Sequence, residues 1–174
     1  MQPLSRSTKR IAADLCCTVA TSISFSRADM SATGILELSK LLKSMRPVLD
    51  PHTYVFATIA KDGSHPEHAK LLTEAVHHAE MLFKEDEGWT VIVTQILANE
   101  LNLAQNFPCR KVTLNVHSSL DAVGFLAAIT TRLAQKLNLG VNPVSGYYHD
   151  HLFVPKGKED LVVKEIEMMA AEQE

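Results

Sequence analysis

The sequence predicts an α+β fold in which helices cover antiparallel sheets. Apolar residues recur at helical spacing in some segments and alternate with polar residues in others. Proline, glycine and aspartate separate these segments, as expected of turns. At 174 residues, 46% of them hydrophobic and 21% charged, the chain is long enough to bury a sizeable core.

Composition argues against several classes of protein. No apolar run approaches the roughly 20 residues that span a bilayer, so we expect no membrane association. The formal net charge of −3 lacks the basic excess of a nucleic-acid binder. The three cysteines, Cys16, Cys17 and Cys109, form no C-x-x-C pair and favour a reducing compartment. We therefore expect a cytoplasmic protein.

Residues 1–29 differ in character from the rest of the chain. They are basic and rich in serine, whereas residues 30–174 are acidic. We expect a disordered N-terminal extension, and Met30 is a candidate for the true start. A mitochondrial transit peptide is the alternative for this stretch, because such peptides are also basic, rich in serine and poor in acidic residues.

The elements of the first half follow from periodicity and turn signals. Ile35, Leu38, Leu42 and Met45 lie at helical spacing before Pro47, which ends the run. The following segments predict a strand at 54–60, a helix through Leu72, Val76, Ala79 and Phe83, a strand at 89–94 and a short helix at 96–103.

The second half predicts strand, helix, strand, strand and helix. Val112, Leu114 and Val116 alternate with polar residues, as in a half-buried strand. Ser118 to Asp121 resembles a capping box, so we expect the next helix to begin there and to end at Gly140. The apolar stripe of this helix is Leu126, Ile129, Leu133 and Leu137. Two strands are predicted next, at 141–147 and 149–154. The last helix is predicted to point Val162, Ile166 and Met169 inward.

This order over residues 109–170 is that of a ferredoxin-like unit. The first half mixes helices and strands in a similar rhythm, although no sequence repeat is visible. We expect tandem ferredoxin-like units of the βαββαβ type, the first at 30–106 and the second at 107–174.

Tyr147, Tyr148, His149, Asp150 and His151 form the most unusual stretch of the chain. In a strand, His149 and His151 share one face and Asp150 shares the other with Leu152 and Val154. Two histidines at i, i+2 can chelate a metal if His117 or Asp150 completes the site. The alternative is that these histidines are ordinary hydrogen-bonded residues.

A second candidate site lies at 117–125, where a strand leads into a helix. His117, Ser118, Ser119, Asp121 and Gly124 stand where backbone N–H groups are free to bind a carboxylate or another small anion. The alternative is that the serines only cap the helix and that the glycine only allows close packing.

Other chemistry has little support in the sequence. No G-x-S-x-G elbow, G-x-G-x-x-G loop or P-loop occurs, so we expect no catalytic triad and no cofactor. His77 and His78 lie within a predicted helix and His65 and His68 at its start, where solvent exposure explains them better than a metal site. Cys109 fits a buried strand position better than a reactive one.

Four segments resemble a family of small bacterial and fungal ACT-like proteins, most of them uncharacterised. They are LDPHTYVFAT at 49–58, FKEDEGWT at 83–90, VHSSLDAVGF at 116–125 and GYYHDHLFVP at 146–155. The resemblance spans roughly residues 35–170. It implies a pair of ACT-like units, similar to the regulatory portion of aspartate kinases and to arginine sensors of the CASTOR type.

The resemblance also implies a ligand site. ACT modules usually bind amino acids or related effectors where the loop after the first strand and the start of the first helix meet a neighbouring unit. In this sequence the ligand-binding residues implied are His117, Ser118, Ser119, Asp121, Val123 and Gly124, with Asn142, Gly146, Tyr147, Tyr148, His149, Asp150 and His151 as the facing wall. The turn at Ser118 departs from the Asp/Asn with Pro-Gly that many ACT modules carry there.

We therefore expect a non-catalytic regulatory protein, a homodimer, that binds a small-molecule ligand, namely an amino acid or a similar small effector. The ligand's ammonium is expected at carbonyls or Asp121, and its carboxylate at the amides near residues 119–124. One alternative is a metal-dependent enzyme built on His117, His149, Asp150 and His151. Another is a structural interaction module that uses Tyr147, Tyr148 and Phe153 as its interface.

Overall fold

The computed structural model describes residues 34–61 and 66–173. The predicted extension at 1–29, the candidate start at Met30, Cys16 and Cys17 lie outside these residues, as does His65. The description of residues 66–68 covers the backbone alone, so the side chain of His68 is outside it as well.

Within the described residues the chain forms five helices and six strands. In chain order they are α1 (Leu38–Ser44), β1 (Pro47–Ala60), α2 (Pro66–His78), β2 (Met81–Lys84), β3 (Gly88–Thr94), α3 (Gln95–Glu100), β4 (Ala104–Leu114), α4 (Phe125–Leu137), β5 (Asn142–Ser145), β6 (Asp150–Pro155) and α5 (Glu159–Ala171). None of these helices combines the length and the apolar character needed to cross a bilayer.

The strands form one antiparallel sheet in the order β2-β3-β1-β4-β6-β5. From β1 to β4 the elements follow the βαββαβ order, and β2-β3-β1-β4 is the strand order of a ferredoxin-like sheet. The predicted α+β class with an antiparallel, helix-covered sheet is therefore confirmed.

Two long strands connect the two halves of the sheet. Residues 47–49 of β1 pair with 112–114 of β4, whereas residues 54–60 pair with β3. A register shift between Leu49 and Thr53 separates these two parts of β1. The predicted boundary between residues 106 and 107 falls inside β4, and the division into two units stays a prediction.

The buried apolar residues form three clusters, two of which lie under helices. The first lies under α1, α4 and α5 and contains Leu41, Val112, Leu114, Phe125, Ile129, Leu133, Leu152, Val162 and Ile166, among others. The second lies under α2 and α3 and contains Val55, Ala57, Ile59, Ala75, Val91, Val93, Ala98 and Leu103. Tyr54, Ile92, Cys109 and Phe153 form the third. Because β1 contributes alternate residues to the second and third clusters, its two faces are both packed.

The structure corrects the predicted helix through Phe83. Helix α2 ends at His78, and Met81 to Lys84 form β2, which pairs with β3. Met81 and Phe83 lie two positions apart and share a face of this strand, opposite Ile92 and Thr90. The spacing of four between Ala79 and Phe83 fits a helix, but the backbone instead pairs across the sheet.

The helix predicted from Ser118 to Gly140 is shorter at both ends. Helix α4 begins at Phe125, after Gly124 at φ 85°, and its last residue, Leu137, precedes Asn138 at φ 49°. The hydroxyl of Ser118 does not cap the helix, because it donates to a carboxylate in a distant strand. Asn138 takes the left-handed conformation that was expected of Gly140.

Candidate functional site

The loop between β4 and α4 is held in place by the segment that precedes α1. The Ile35 N–H donates to the His117 carbonyl at 2.9 Å, and the Ser119 N–H donates to the Ile35 carbonyl at 3.1 Å. A Cβ atom at Gly34 would lie only 2.5 Å from the Ser119 nitrogen. Gly34 therefore permits a close approach of two backbones that positions the loop.

Asp150 is the buried polar residue of this region, with 6% of its surface exposed. One carboxylate oxygen accepts a hydrogen bond from Ser118 Oγ at 2.8 Å, and the other accepts one from Ser145 Oγ at 2.6 Å. As the alternation of β6 predicts, Asp150 lies on the same face as Leu152 and Val154, which is the helix-covered face. The carboxylate thus joins the loop after β4 to the end of β5.

The charge of Asp150 has no cationic partner among the described side chains. The ion pairs in this part of the chain involve other carboxylates, those of Glu37, Asp50, Glu80, Glu159, Glu165 and Glu172. Buried carboxylates are usually paired or bound to a cation, because removing a charge from water is costly. Two hydroxyl donors are the partners that the described residues provide for Asp150.

A cavity of about 210 Å³ opens next to this carboxylate. Its polar lining comes from Ser118, Ser119, Ser145 and Asp150, and the start of α4 also lines it. The complete lining is Ser118, Ser119, Leu120, Ala122, Gly124, Phe125, Leu126, Ala127, Ser145 and Asp150. The structure therefore brings together four of the predicted residues: Ser118, Ser119, Gly124 and Asp150.

The first turn of α4 gives this cavity a second electrostatic feature. The first N–H groups of a helix have no partner within the helix, and the aligned peptide dipoles make this end positive. Gly124 is the N-cap residue and provides no side-chain acceptor for these groups. One cavity thus combines a buried carboxylate with the positive end of a 13-residue helix.

Other predicted site residues lie outside the cavity lining. Asp121 and Asn142 are exposed, and Val123 exposes 85% of its surface. The side chains of Tyr147 and Tyr148 are also exposed, and their rings pack edge to face with centroids 4.8 Å apart.

The remaining predicted residues line the turn between β5 and β6 or the loop opposite it. The ring of His117 lies 6.0 Å from that of Tyr148. His149 Nδ1 lies 3.3 Å from the Val116 carbonyl oxygen, and the Gly146 N–H donates to the His149 carbonyl. These contacts shape the turn without bringing its side chains into the cavity.

His151 lies on the opposite face of β6 from Asp150. Its Nδ1 is 3.0 Å from Thr113 Oγ1, and burial together with the charge of Lys111 lowers its pKa. The proposed metal cluster of His117, His149, Asp150 and His151 is therefore not assembled. Within residues 34–61 and 66–173, no group of three His, Cys, Asp or Glu side chains is placed to hold a metal ion.

The structure also tests the predictions made for Phe153 and Cys109. Phe153 exposes 1% of its surface and packs against Tyr54 and Phe56, so it does not share an exposed interface with Tyr147 and Tyr148. Cys109 is a buried strand residue, as expected, and burial raises the pKa of its thiol to about 12. A thiol in that state is not a nucleophile near neutral pH.

Sequence reasoning missed Ser145 and the first turn of α4. Ser145 lies opposite Asp150 in the β5–β6 hairpin. The pairing register of these two strands is therefore the signal that identifies Ser145. Residues 125–127 form this first turn and line the cavity, because α4 begins later than the capping pattern predicts.

Comparisons with known proteins give further evidence of the family of this chain. A model of the ACT domain family matches residues 33–110. A search of curated protein sequences found no match to this chain.

Several solved structures share the fold. A Vibrio cholerae protein of unknown function, described as a possible transport protein, is 33% identical, with a TM-score of 0.62 over 76% of this chain and 95% of its own. An Agrobacterium tumefaciens protein is 12% identical, with a TM-score of 0.56 over 72% and 89%. The ligand-free regulatory subunit of Thermus thermophilus aspartate kinase is 10% identical, with a TM-score of 0.53 over 71% and 96%. With the family model, the sheet order and the Vibrio relative in agreement, the chain belongs to the ACT domain family.

Proposed function

We propose that the protein is a non-catalytic, cytoplasmic regulatory protein that binds an amino acid or a similarly small effector. The observation that carries this proposal is the cavity between the β4–α4 loop, the first turn of α4 and Asp150. It lies at the loop and helix start where the family resemblance implies ligand binding, and it contains both hydroxyl groups and a buried carboxylate.

The size of the cavity supports a small ligand. Its volume of about 210 Å³ lies below the ~300–1,000 Å³ typical of sites for drug-sized molecules. A metabolite of amino-acid size suits such a space, and the hydroxyl groups of Ser118, Ser119 and Ser145 provide donors and acceptors to orient it.

The position of the cavity supports a regulatory role. Its lining comes from three places in the chain: the loop after β4, the start of α4 and the β5–β6 hairpin. A ligand that contacts all three stabilises their mutual arrangement. A partner that prefers this arrangement then binds more tightly when the ligand is present.

The homodimer is part of the same proposal. Large apolar or aromatic side chains beside the cavity are exposed, with Leu120 at 70%, Val123 at 85%, Tyr147 at 60% and Tyr148 at 65%. Exposed clusters of this kind are typical of interaction surfaces, and tyrosine is enriched in them. A second copy seated here would lie next to the ligand.

Thermal unfolding tests the proposal directly. We expect at least one of the twenty L-amino acids, at millimolar excess, to raise the Tm of the purified chain, because a ligand that binds only the native state stabilises it by mass action. An excess of 100 times Kd stabilises by about 2.7 kcal/mol, which is a shift of several degrees.

A pair of variants on α4 assigns the effect to the cavity. Ala127 lines the cavity and Ala134 is an exposed residue of the same helix, so Ala127→Leu fills the site while Ala134→Leu is the matched control. The proposal predicts that only Ala127→Leu loses the ligand-induced shift. It is wrong if no amino acid raises the Tm of the wild type, or if both variants respond as the wild type does.

A further inference from the structure

We infer that the chain has a second small-molecule site, between the ends of α1 and α5, and that this site binds an organic anion. The anionic group binds Arg46 and Lys43, and the apolar part of the molecule lies against Met45, all three of which line a cavity there. This cavity shares no lining residue with the cavity at Asp150. The inference therefore does not depend on the proposed function.

The cavity between α1 and α5 is larger than the one at Asp150. Its volume is about 340 Å³, against about 210 Å³, and lies within the ~300–1,000 Å³ typical of small-molecule sites. Met45 and Ala170 give it an apolar surface, and they are only 0% and 9% exposed because they belong to the core cluster under α1, α4 and α5. This apolar surface is therefore fixed by the core.

Arg46, which follows the end of α1, is held in place by three hydrogen bonds. Its Nη1 donates to the carbonyl oxygens of Lys43 at 3.0 Å and of Met45 at 2.9 Å. Its own carbonyl oxygen accepts a bond from the Asn115 N–H at 2.9 Å. The last carbonyls of a helix have no partner within the helix, and a basic side chain commonly bonds to them. The guanidinium group is thus positioned before a ligand binds.

The Arg46 side chain keeps further donors for a ligand. A guanidinium group carries five N–H donors, and the two on Nη1 make the bonds to the carbonyl oxygens. Within the described residues, Nε and Nη2 donate to no acceptor. Nε–H and one Nη2–H form a planar fork that matches two oxygens of a carboxylate or a phosphate group.

The charges of the lining favour an anion as well. Lys43 and Arg46 are cationic, and Glu167 on α5 is the one anionic residue of the lining. None of these three side chains takes part in an ion pair within residues 34–61 and 66–173. With two cations and one carboxylate, the cavity attracts an anion.

These features define the class of ligand. An uncharged apolar molecule leaves the free guanidinium donors without a partner, and a metal cation finds a single carboxylate in the lining, that of Glu167. The same carboxylate repels a second anionic group. The site therefore suits a molecule with one anionic group, a carboxylate or a phosphate ester, and a small apolar body.

Amide chemical-shift mapping with matched probes tests the inference. The organic anions are hexanoate, phenylacetate and phenyl phosphate; hexanol and phenylethanol are the uncharged analogues, and inorganic phosphate is an anion without an apolar body. We expect at least one organic anion to cause saturable shifts at residues 43–46 and 167–171. The uncharged analogues and inorganic phosphate should bind more weakly, the alcohols by about 10- to 100-fold, the loss that accompanies removal of a hydrogen bond to a charged group.

Charge variants assign the binding to named residues. Lys43→Gln and Arg46→Gln each remove one cation and should weaken binding of the organic anion by about 10-fold or more. Glu167→Gln removes the repulsive charge and should strengthen binding by about 3- to 10-fold. Lys136→Gln, which changes an exposed cation of α4 outside the lining, is the control and should leave the affinity unchanged. Damage to the fold could weaken binding but could not strengthen it, so Glu167→Gln separates a binding role from a structural one.

Several results would overturn the inference. It is wrong if none of the organic anions causes saturable shifts, or if the shifts are confined to another part of the chain. It is also wrong if the anions and their uncharged analogues bind equally well. Unchanged affinity in folded Lys43→Gln and Arg46→Gln variants would likewise contradict it.

Discussion

Ser118 Oγ donates a 2.8 Å hydrogen bond to the Asp150 carboxylate, although the two residues are 32 positions apart in the chain. This contact fastens the loop after β4 to the first residue of β6. With the bond from Ser145 to the same carboxylate, it fixes the polar wall of the cavity before any ligand arrives. Preformed walls of this kind reduce the ordering cost of binding.

Removal of the Ser118 hydroxyl should therefore destabilise the protein. We expect Ser118→Ala to lower the free energy of unfolding by about 1–3 kcal/mol, because it leaves a buried carboxylate short of a donor. Ser119→Ala is the control, since the Ser119 hydroxyl accepts only a local bond from the exposed Asp121 N–H. Urea unfolding measures both. Equal effects of the two substitutions would contradict the assigned role of Ser118.

Gly124 is expected to be intolerant of a side chain. Its φ of 85° lies in the left-handed region, so Gly124→Ala should cost about 1 kcal/mol or more and should weaken ligand binding by moving the first turn of α4. Gly140→Ala is the matched control, because no atom lies within 4 Å of the added Cβ. Unfolding midpoints and calorimetric affinities compare the two. The expectation fails if Gly124→Ala is neutral in both measurements.

The shared strands predict cooperative unfolding. Ile129 of α4 is fully buried, so Ile129→Ala should lower stability by about 2–5 kcal/mol. Since β1 and β4 belong to the whole sheet, we expect faster hydrogen exchange in β3 as well as in α4. The exposed Leu161→Ala change should leave both unaltered. Faster exchange in α4 alone would show that the halves unfold independently.

Stability should fall on acidification through Asp50. Burial acts to raise the pKa of this carboxyl, but hydrogen bonds from the backbone and ring of His52 and the charge of Lys111, 3.6 Å away, outweigh it and hold the pKa below its ordinary value. A carboxyl with a depressed native pKa stabilises the fold above its unfolded pKa of about 3.9 and loses that effect as the pH falls through the native value.

The measurement is the free energy of unfolding between pH 6 and pH 3. The difference between wild type and Asp50→Asn should be largest near pH 6 and should shrink towards pH 3. Asp86→Asn, a change in an exposed turn, is the control and should give a difference that is small throughout. A wild-type advantage from Asp50 that grows as the pH falls would have the wrong sign for this account.

Local patterns predicted the faces of strands and helices well. The alternation along β6 correctly places Asp150, Leu152 and Val154 on one buried face of the strand. The spacing of Val162, Ile166 and Met169 correctly places these side chains on the buried face of α5. Such patterns succeed because burial repeats with the period of the element itself.

The errors came from contacts between distant residues. The serine of an apparent capping box bonds instead to Asp150, so α4 begins seven positions later than Ser118 suggests. Strand β1 begins at Pro47 because residues 47–49 pair with β4, about 65 positions further on, and no local signal reports that pairing. The cavity depends on the same kind of contact, which is why Ser145 was not foreseen.

Amide chemical-shift mapping by NMR tests the central claim most directly. The isotope-labelled chain is titrated with each amino acid that raises its Tm, or with all twenty if none does. The account predicts saturable shifts concentrated at the residues that line the cavity, which are 118–120, 122, 124–127, 145 and 150. Absence of shifts with all twenty amino acids, or saturable shifts confined to another part of the chain, would contradict it.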